Sequence, residues 1–327
     1  MEFRTAIRTP ENLGIMHHSD VMTMLGSCFT ENIGAKLRGA MMNVEINPFG
    51  TIYNPLSMAS CVQRLVDAVP ERGMDLFQGG GVWNSFNFHS RYSLPDKAAT
   101  LERMNERIMQ GHDHLQRSNT LVVTLGTAIV YRLAATGEVV NNCHKVPQHK
   151  FTREMASVDE ITDALKGMVE QLHAFNPGLY ILFTVSPIRH IADGLELNSL
   201  SKAVLRVAID KVMKQYPDFT GYFPSFEIMM DDLRDYRFYS TDMVHPSEVA
   251  VEYIWQAFRA TYFDDPSIQA IARCERVMKR LQHRPMSGNR DVVSRFHDDT
   301  VAVVRNLVNE YPYIAEVNEI KNMLSDS

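Results

Sequence analysis

The sequence predicts an α/β fold built on a parallel sheet that helices cover on both faces. Three apolar runs carry this prediction, at residues 21–25, 121–125 and 180–185, and each leads into a glycine or a polar loop. Segments of amphipathic helical pattern separate these runs, and such alternation is typical of a parallel sheet. Because ligands gather at the carboxyl ends of parallel strands, we expect functional residues in the loops that follow the runs.

The other predicted elements fit this alternation. Residues 31–42 have apolar side chains at a spacing of four, which indicates a helix. The Asn54-Pro55 pair opens the next helix, which extends to about residue 69. Further helices are predicted at 97–114, 158–175, 198–216 and 246–262, and a fourth strand at 220–223.

We divide the chain after residue 263. Residues 1–263 form the α/β domain, with an irregular excursion near 70–95 that is rich in Gly, Asn and aromatic residues. Residues 264–327 show helical patterns alone and form a helical C-terminal extension. Its predicted helices lie at 268–283, 291–310 and 314–324, with a linker over 284–289. We expect this extension to pack on the core or to join two copies of the chain as a homo-oligomer.

Composition narrows the class of partner. The 327 residues are 45% hydrophobic and 22% charged, which is ordinary for a globular protein. The 33 basic and 39 acidic residues give a net charge of −6 without a basic block, so we expect no nucleic-acid partner. No apolar run is long enough to span a bilayer, and the N-terminus lacks a secretory signal. We therefore expect a cytoplasmic protein with no membrane partner.

The four cysteines are scattered and form no CxxC pair, so we expect free thiols. The histidine pairs at 17–18 and at 112 and 114 lack a recognisable third ligand. We therefore expect no metal site and no cofactor.

Two candidate nucleophiles, Ser27 and Cys28, lie where the first strand turns into a helix. Backbone amides at a helix N-terminus stabilise a thiolate or alkoxide and later an oxyanion. A cysteine there can have a lowered pKa, and a serine can react if a histidine takes its proton. Gly26 permits a tight turn. The structural alternative is that Ser27 caps the helix and Cys28 is a small buried residue.

Asp242 and His245 are three residues apart, which lets the carboxylate orient an imidazole that acts as a base. The structural alternative is that Asp242 caps the helix that starts near Pro246. Both roles can hold at once.

Several motifs of the chain resemble the GSCFA family, which is related to the SGNH (GDSL-type) hydrolases. Residues 25–30 read Leu-Gly-Ser-Cys-Phe-Thr, with threonine where the family name has alanine. The resemblance covers about residues 22–260 and implies a flavodoxin-like, three-layer α/β/α sandwich. The further matching stretches are 47–55, 125–128, 142–147, 185–190 and 236–239, the last leading into the Asp-x-x-His motif.

The resemblance assigns roles residue by residue. The GDSL-type pattern Gly-Asp-Ser-x-Thr, laid on residues 26–30, places Cys28 at the nucleophile position and Ser27 where the aspartate would stand. Asp242 and His245 satisfy the last block, Asp-x-x-His, in full. The resemblance implies that the imidazole of His245 takes the proton of the nucleophile. It also implies that the carboxylate of Asp242 fixes the tautomer of this imidazole.

The oxyanion side of the pattern is incomplete. The Gly50 amide fits the second block, but Ala128 stands where the third block has a donating asparagine, a loss worth roughly a hundredfold or more in rate. Arg189 and His190 are candidates either for binding a substrate anion or for a surface salt-bridge pair. The other polar candidates for the oxyanion or substrate site are Asn47, Gly126, Thr127, Tyr131, Asn142 and His144. For the polar cluster at 142–145 the alternative is a loop anchored by hydrogen bonds, and the resemblance favours the role in the site.

These residues predict an acyl-ester hydrolase or acyltransferase that acts on an acylated carbohydrate or a small ester. Cys28 or Ser27 attacks the carbonyl, His245 serves as base and then acid, and Asp242 orients it. The amides of Gly50 and Cys28 hold the oxyanion. The alternative is a non-catalytic binding protein that keeps the SGNH frame with a degraded oxyanion hole. A phosphate-ester hydrolase has less support, since neither a metal site nor an arginine-rich pocket is evident.

Overall fold

The computed structural model describes residues 5–283 and 290–325, and it confirms the α/β fold as a three-layer α/β/α arrangement. The strands are β1 (Val21–Gly26), β2 (Asn43–Ile46), β3 (Leu76–Gly79), β4 (Val82–Ser85), β5 (Thr120–Leu125), β6 (Ile129–Leu133), β7 (Phe151–Met155), β8 (Tyr180–Val185) and β9 (Thr220–Phe223).

The helices alternate with the strands of the main sheet and then continue alone. They are α1 (Cys28–Gly39), α2 (Pro55–Val66), α3 (Lys97–Arg117), α4 (Val158–Phe175), α5 (Leu195–Gln215), the single turn α6 (Ser225–Glu227), α7 (Glu248–Tyr262), α8 (Asp265–Gln282), α9 (Arg290–Glu310) and α10 (Asn318–Ser325).

The main sheet has five strands in the order β2-β1-β5-β8-β9. Strands β1 and β5, β5 and β8, and β8 and β9 pair in parallel. Counted within this sheet the order is 2-1-3-4-5, as in flavodoxin-like folds. The order reverses between β1 and β5, and ligands of such sheets bind beyond the carboxyl ends of the strands at this reversal.

Both faces of the sheet are buried. Leu121, Val123 and Leu125 of β5 belong to the main hydrophobic core, together with side chains of α2, α3, α4 and α5. Val122 alternates with them, so it faces the other way, and it is buried as well. Apolar side chains on both faces explain why the strand reads as a continuous apolar run.

The turn at the candidate nucleophiles is tighter than predicted. The helix expected at 31–42 begins at Cys28 and ends at Gly39, so that Ser27 alone separates α1 from β1. The apolar spacing of four starts only at Ile33, and the first turn holds cysteine and threonine, which are weak helix formers. The apolar periodicity therefore predicted the start of this helix too late in the chain.

The excursion near 70–95 contains an antiparallel hairpin of β3 and β4. Gly80 and Gly81 connect the two strands with φ of 64° and 81°. A two-residue hairpin turn that matches the twist of its strands requires positive φ at both positions. A second antiparallel pair, β6 and β7, was also missed, because both strands are short and carry polar residues. Both pairs lie outside the main sheet.

The chain divides into two compact units. The first comprises the described residues of Met1–Arg8, Met22–Asn32 and Glu45–Ile254, and the second those of Thr9–Val21, Ile33–Val44 and Trp255–Ser327. The second unit has its own small core, built around Cys274, Val304 and Ile314. The helices predicted for the tail are formed as α8, α9 and α10, while the linker predicted at 284–289 lies outside the described residues.

Within the described ranges no helix is both long enough and apolar enough to cross a membrane.

A close approach of two strands fixes the end of β1. A Cβ atom on Gly26 would lie 2.3 Å from the carbonyl oxygen of Thr124 on β5 and 2.7 Å from the Thr30 hydroxyl. The φ of Gly26 is 148°, a conformation that residues with a side chain rarely adopt. Glycine is therefore required at this position.

Replacing Gly26 with alanine should lower the free energy of unfolding by about 3 kcal/mol, because the added methyl group meets a backbone oxygen and adopts a strained φ. Urea unfolding followed by circular dichroism measures this change.

Gly167→Ala in α4 is the matched control, since a Cβ there meets no atom within 4 Å. Alanine favours a helix interior, so this variant should gain about 0.5–1 kcal/mol. Unchanged stability of Gly26→Ala would contradict the close approach of β1 to β5.

Candidate active site

The two candidate nucleophiles have different environments. Ser27 is 1% exposed, and its hydroxyl donates to the Ser186 hydroxyl at 2.9 Å. The same oxygen accepts the N–H of Phe29 at 3.3 Å, which is the bond of a helix cap. The Ser27 hydroxyl is therefore enclosed and fully engaged.

Cys28 is half-buried, and its sulfur lies 3.5 Å from the Tyr53 hydroxyl oxygen. It occupies the first position of α1, where the backbone N–H has no preceding helical carbonyl to bind. The other three cysteines are also free, but Cys61 and Cys274 are buried, and burial raises the pKa of each to about 12. Their thiols therefore stay protonated at neutral pH.

Asp242 and His245 form a tight pair in the loop before α7. One oxygen of Asp242 lies 2.6 Å from Nδ1 of His245, and the other accepts the N–H groups of Val244 and His245 at 2.9 and 3.0 Å. These hydrogen bonds lower the pKa of Asp242 to about 2, so the carboxylate is ionised and only accepts. Nδ1 of His245 must then donate, which leaves Nε2 as the basic nitrogen.

The pair is not explained by helix capping. Helix α7 begins at Glu248, and the hydroxyl of Ser247 accepts the N–H of Ala250 at 3.3 Å. Ser247 is therefore the capping residue of α7, while Asp242 binds amides of its own loop.

Arg189 binds the loop that carries Asp242 and His245. Its guanidinium donates to the Met243 carbonyl oxygen and lies 4.1 Å from the ring centre of Tyr239. The side chain is buried, and no carboxylate of the described residues pairs with it. These contacts favour a role in holding the Asp242–His245 loop over either of the roles expected from the sequence.

His190 lies beside the end of β5. A Cβ atom on Gly126 would be 3.2 Å from its Nε2, and its ring meets the Tyr53 ring edge-on at 5.8 Å. Burial and the positive charges of Lys202 and His245 lower the pKa of His190 to about 4. The imidazole is therefore neutral at pH 7, and its Nε2 has no hydrogen-bond partner among the described residues.

The backbone amides expected to bind an oxyanion are engaged within the protein. The Gly50 N–H donates to the carbonyl of Asn47 at 2.7 Å, so it does not point to a ligand as expected. The N–H groups of Gly126 and Thr127 both donate to the Tyr53 carbonyl, at 2.7 and 3.0 Å. The glycine and threonine of this turn therefore fix the backbone of Tyr53.

Asn47 positions the end of β1. Its side-chain oxygen accepts the N–H of Gly26 at 2.8 Å, and the residue is buried. Its side-chain nitrogen has no hydrogen-bond partner within the part of the chain that the structure describes.

The polar cluster at 142–144 anchors a loop. The Asn142 side chain accepts the N–H of His144 at 2.9 Å. Nε2 of His144 lies 2.7 Å from the Ser85 carbonyl oxygen at the end of β4, and its ring packs edge-on against Phe77. Among the described residues no hydrogen bond joins Asn142 or His144 to Cys28 or His245. These contacts match the loop-anchoring interpretation.

Sequence reasoning missed Lys202, which is 2% exposed on α5. Its ammonium donates to the carbonyl oxygens of Gly126 at 2.6 Å and Ser186 at 2.7 Å, at the ends of β5 and β8. Burial lowers its pKa to about 7. A signal was present, because Lys202 shares one helical face with Leu205 and Ile209, and a lysine on an apolar face is unusual.

The buried lysine should make stability depend on pH. Above about pH 7 the folded protein has lost a proton that the unfolded chain keeps, so the unfolded state binds more protons and the free energy of unfolding rises with pH. The stability of the wild type relative to Lys202→Met should therefore rise by up to about 1.4 kcal/mol per pH unit between about pH 7 and about pH 9.

Denaturant unfolding of both proteins at several pH values measures this difference. Lys214→Met, at an exposed position of the same helix, is the control and should parallel the wild type in this range. A constant difference between wild type and Lys202→Met would show that the lysine does not titrate there.

Comparison with known proteins gives a family and a distant structural likeness. Residues 21–258 match the model of the GSCFA family. Among curated proteins none is significantly similar to the chain. One similar solved structure is an acetyl xylan esterase (Est2A) from the rumen bacterium Butyrivibrio proteoclasticus, with 14% identity and a TM-score of 0.27, covering 43% of this chain and 35% of that one. Because the family model matches more than half of the chain, the protein belongs to the GSCFA family.

Proposed function

We propose that this protein is an acyl-ester hydrolase or acyltransferase whose nucleophile is Cys28. The observation that carries the proposal is the contrast at the turn after β1. Ser27 is enclosed and hydrogen-bonded, whereas Cys28 presents a half-buried thiol at the first position of a helix. Helix N-termini favour negative charge on such a group.

The Asp242–His245 pair supplies the base. Nε2 of His245 takes the thiol proton while the sulfur of Cys28 bonds to the ester carbonyl carbon, whose π electrons move to the oxygen. When the tetrahedral intermediate collapses, the alcohol leaves with the proton from Nε2, and a thioester remains. Water or a sugar hydroxyl then attacks the thioester by the same steps, which gives hydrolysis or transfer.

The pair must approach the thiol for this step. No hydrogen bond joins His245 to Cys28 in the part of the chain that the structure describes. Catalytic hydrogen bonds are often long without substrate and shorten in the substrate complex. A movement of the loop that carries Asp242 and His245 as one unit would keep their 2.6 Å contact.

For the substrate we propose an acylated carbohydrate or a small ester. Three exposed apolar side chains lie near the pair in sequence or on its supporting residues: Met243 lies between its members, Tyr236 packs on Arg189, and Ile191 follows His190. Tyr236 is 61% exposed, so one ring face is free to pack against a ligand. Clustered exposed apolar groups of this kind mark binding surfaces.

The second candidate function is non-catalytic binding of a similar ligand. Ala128 in place of the asparagine, and the engagement of the Gly50 and Gly126 amides, favour this alternative. It predicts that the chain binds esters without cleaving them.

Substitutions at the turn separate the two nucleophiles. Cys28→Ala should lower hydrolysis of p-nitrophenyl acetate by roughly a thousandfold or more, since it removes the attacking atom. Ser27→Ala should keep most of the activity and lose about 1 kcal/mol of stability with its cap. Steady-state kinetics and urea unfolding of both variants provide the measurement.

If Cys28→Ala keeps its activity and Ser27→Ala loses it, then Ser27 is the nucleophile. Hydrolysis no faster than the uncatalysed reaction in the wild type and in both variants would favour the binding protein, whereas equal catalysed rates in all three would place the nucleophile elsewhere.

A further inference from the structure

The reaction needs an oxyanion donor that the chain lacks at the expected position. Ala128 has no polar side chain, and its backbone N–H donates to the Ser201 hydroxyl at 2.7 Å. The amides of Gly50, Gly126 and Thr127 are also engaged. Of the donors implied by the family resemblance, only the N–H of Cys28 itself remains, and a single donor leaves most of the charge unsupported.

The Tyr53 hydroxyl is the side-chain group next to the reacting sulfur. Its oxygen lies 3.5 Å from the sulfur of Cys28. The backbone of Tyr53 is fixed, since its carbonyl accepts two amides from the end of β5 and the next residue, Asn54, caps α2. The His190 ring adds an edge-on contact to the Tyr53 ring. A donor held in this way needs no reorganisation when charge develops.

The hydroxyl also has the required protonation state. Burial, with a smaller contribution from the neighbouring Cys28, raises the pKa of Tyr53 to about 12, although a hydrogen bond with Thr51 acts in the opposite direction. At neutral pH the phenol therefore keeps its proton and is able to donate a hydrogen bond.

Two other unpartnered polar atoms are less suited. Nδ2 of Asn47 and Nε2 of His190 lack hydrogen-bond partners in the described ranges, but both atoms are shielded from solvent. A substrate oxygen cannot reach either atom without rearrangement. The half-buried Tyr53 side chain contacts the sulfur directly, which distinguishes it from both.

We propose that the Tyr53 hydroxyl is the oxyanion donor that replaces the asparagine missing at Ala128, an inference that rests on the proposed function. As the sulfur of Cys28 bonds to the carbonyl carbon, the π electrons pass to the carbonyl oxygen. Tyr53 donates a hydrogen bond to that oxygen and keeps its proton throughout. When the intermediate collapses, the electron pair returns to the carbonyl and the alcohol leaves with the proton from His245.

The test compares Tyr53→Phe with Tyr216→Phe. Tyr216 is the matched control, because it lies between α5 and β9, at the amino edge of the main sheet, and its hydroxyl donates a hydrogen bond to Glu170. Three measurements are made on each variant: steady-state kinetics with p-nitrophenyl acetate, which give kcat and KM, the rate of Cys28 alkylation by iodoacetamide, and protection of Cys28 by acetaldehyde. Acetaldehyde adds to a thiol to give a tetrahedral adduct with the same oxygen position, whereas alkylation develops no oxyanion.

For Tyr53→Phe we expect kcat to fall about a hundredfold with little change in KM, and acetaldehyde protection to weaken at least tenfold. Alkylation of Cys28 should stay within about threefold of the wild type. Tyr216→Phe should match the wild type in all three measurements.

An equal loss of alkylation and hydrolysis in Tyr53→Phe would show that the hydroxyl acts on the thiol, which overturns the proposal. Wild-type values of kcat and acetaldehyde protection would overturn it as well. If the wild type cleaves no ester, the proposed function fails, but acetaldehyde protection still decides the role of Tyr53. An absence of protection in the wild type would refute the oxyanion site.

Discussion

The contact on which the site depends is the approach of Gly26 to the backbone of Thr124. Because Gly26 has no side chain, the end of β1 lies directly against β5. The chain then reverses into α1, and only Ser27 separates the strand from the helix. That reversal puts the first amides of α1 at the point where the strand order of the sheet changes. The position of Cys28 at this edge is thus a consequence of packing between two strands.

A buried polar layer holds the ends of the neighbouring strands together beneath the turn. Ser27 binds Ser186, the residue after β8, while Lys202 binds the carbonyls of Gly126 and Ser186. Strand ends leave carbonyl groups without ladder partners, and an unpaired buried carbonyl is costly. The lysine satisfies two of these groups at once. Among the described residues no carboxylate pairs with Lys202. The lysine is tolerated there because burial lowers its pKa to about 7, which reduces the charge that is buried.

Much of the fold could be predicted from the sequence, but less of the site. The strands at 121–125 and 180–185 were evident because two-sided burial makes a strand uniformly apolar. Asp242 and His245 were evident because a local spacing of three brings them together. The engagement of the Gly50 and Gly126 amides was not, since hydrogen bonds between distant segments leave no pattern in the sequence. Tyr53 was missed for the same reason: 25 residues separate it from Cys28, and only the folded loops bring the two side chains together.

Trapping the acyl-enzyme tests directly whether Cys28 is the nucleophile. The protein is mixed briefly with p-nitrophenyl acetate, quenched in acid, digested and mapped by mass spectrometry. A single acetyl group on Cys28, sensitive to hydroxylamine and absent when His245 is replaced by alanine, is the predicted result. An acetyl group on Ser27, or no preferential acetylation of the peptide that contains residues 26–30, would contradict the account.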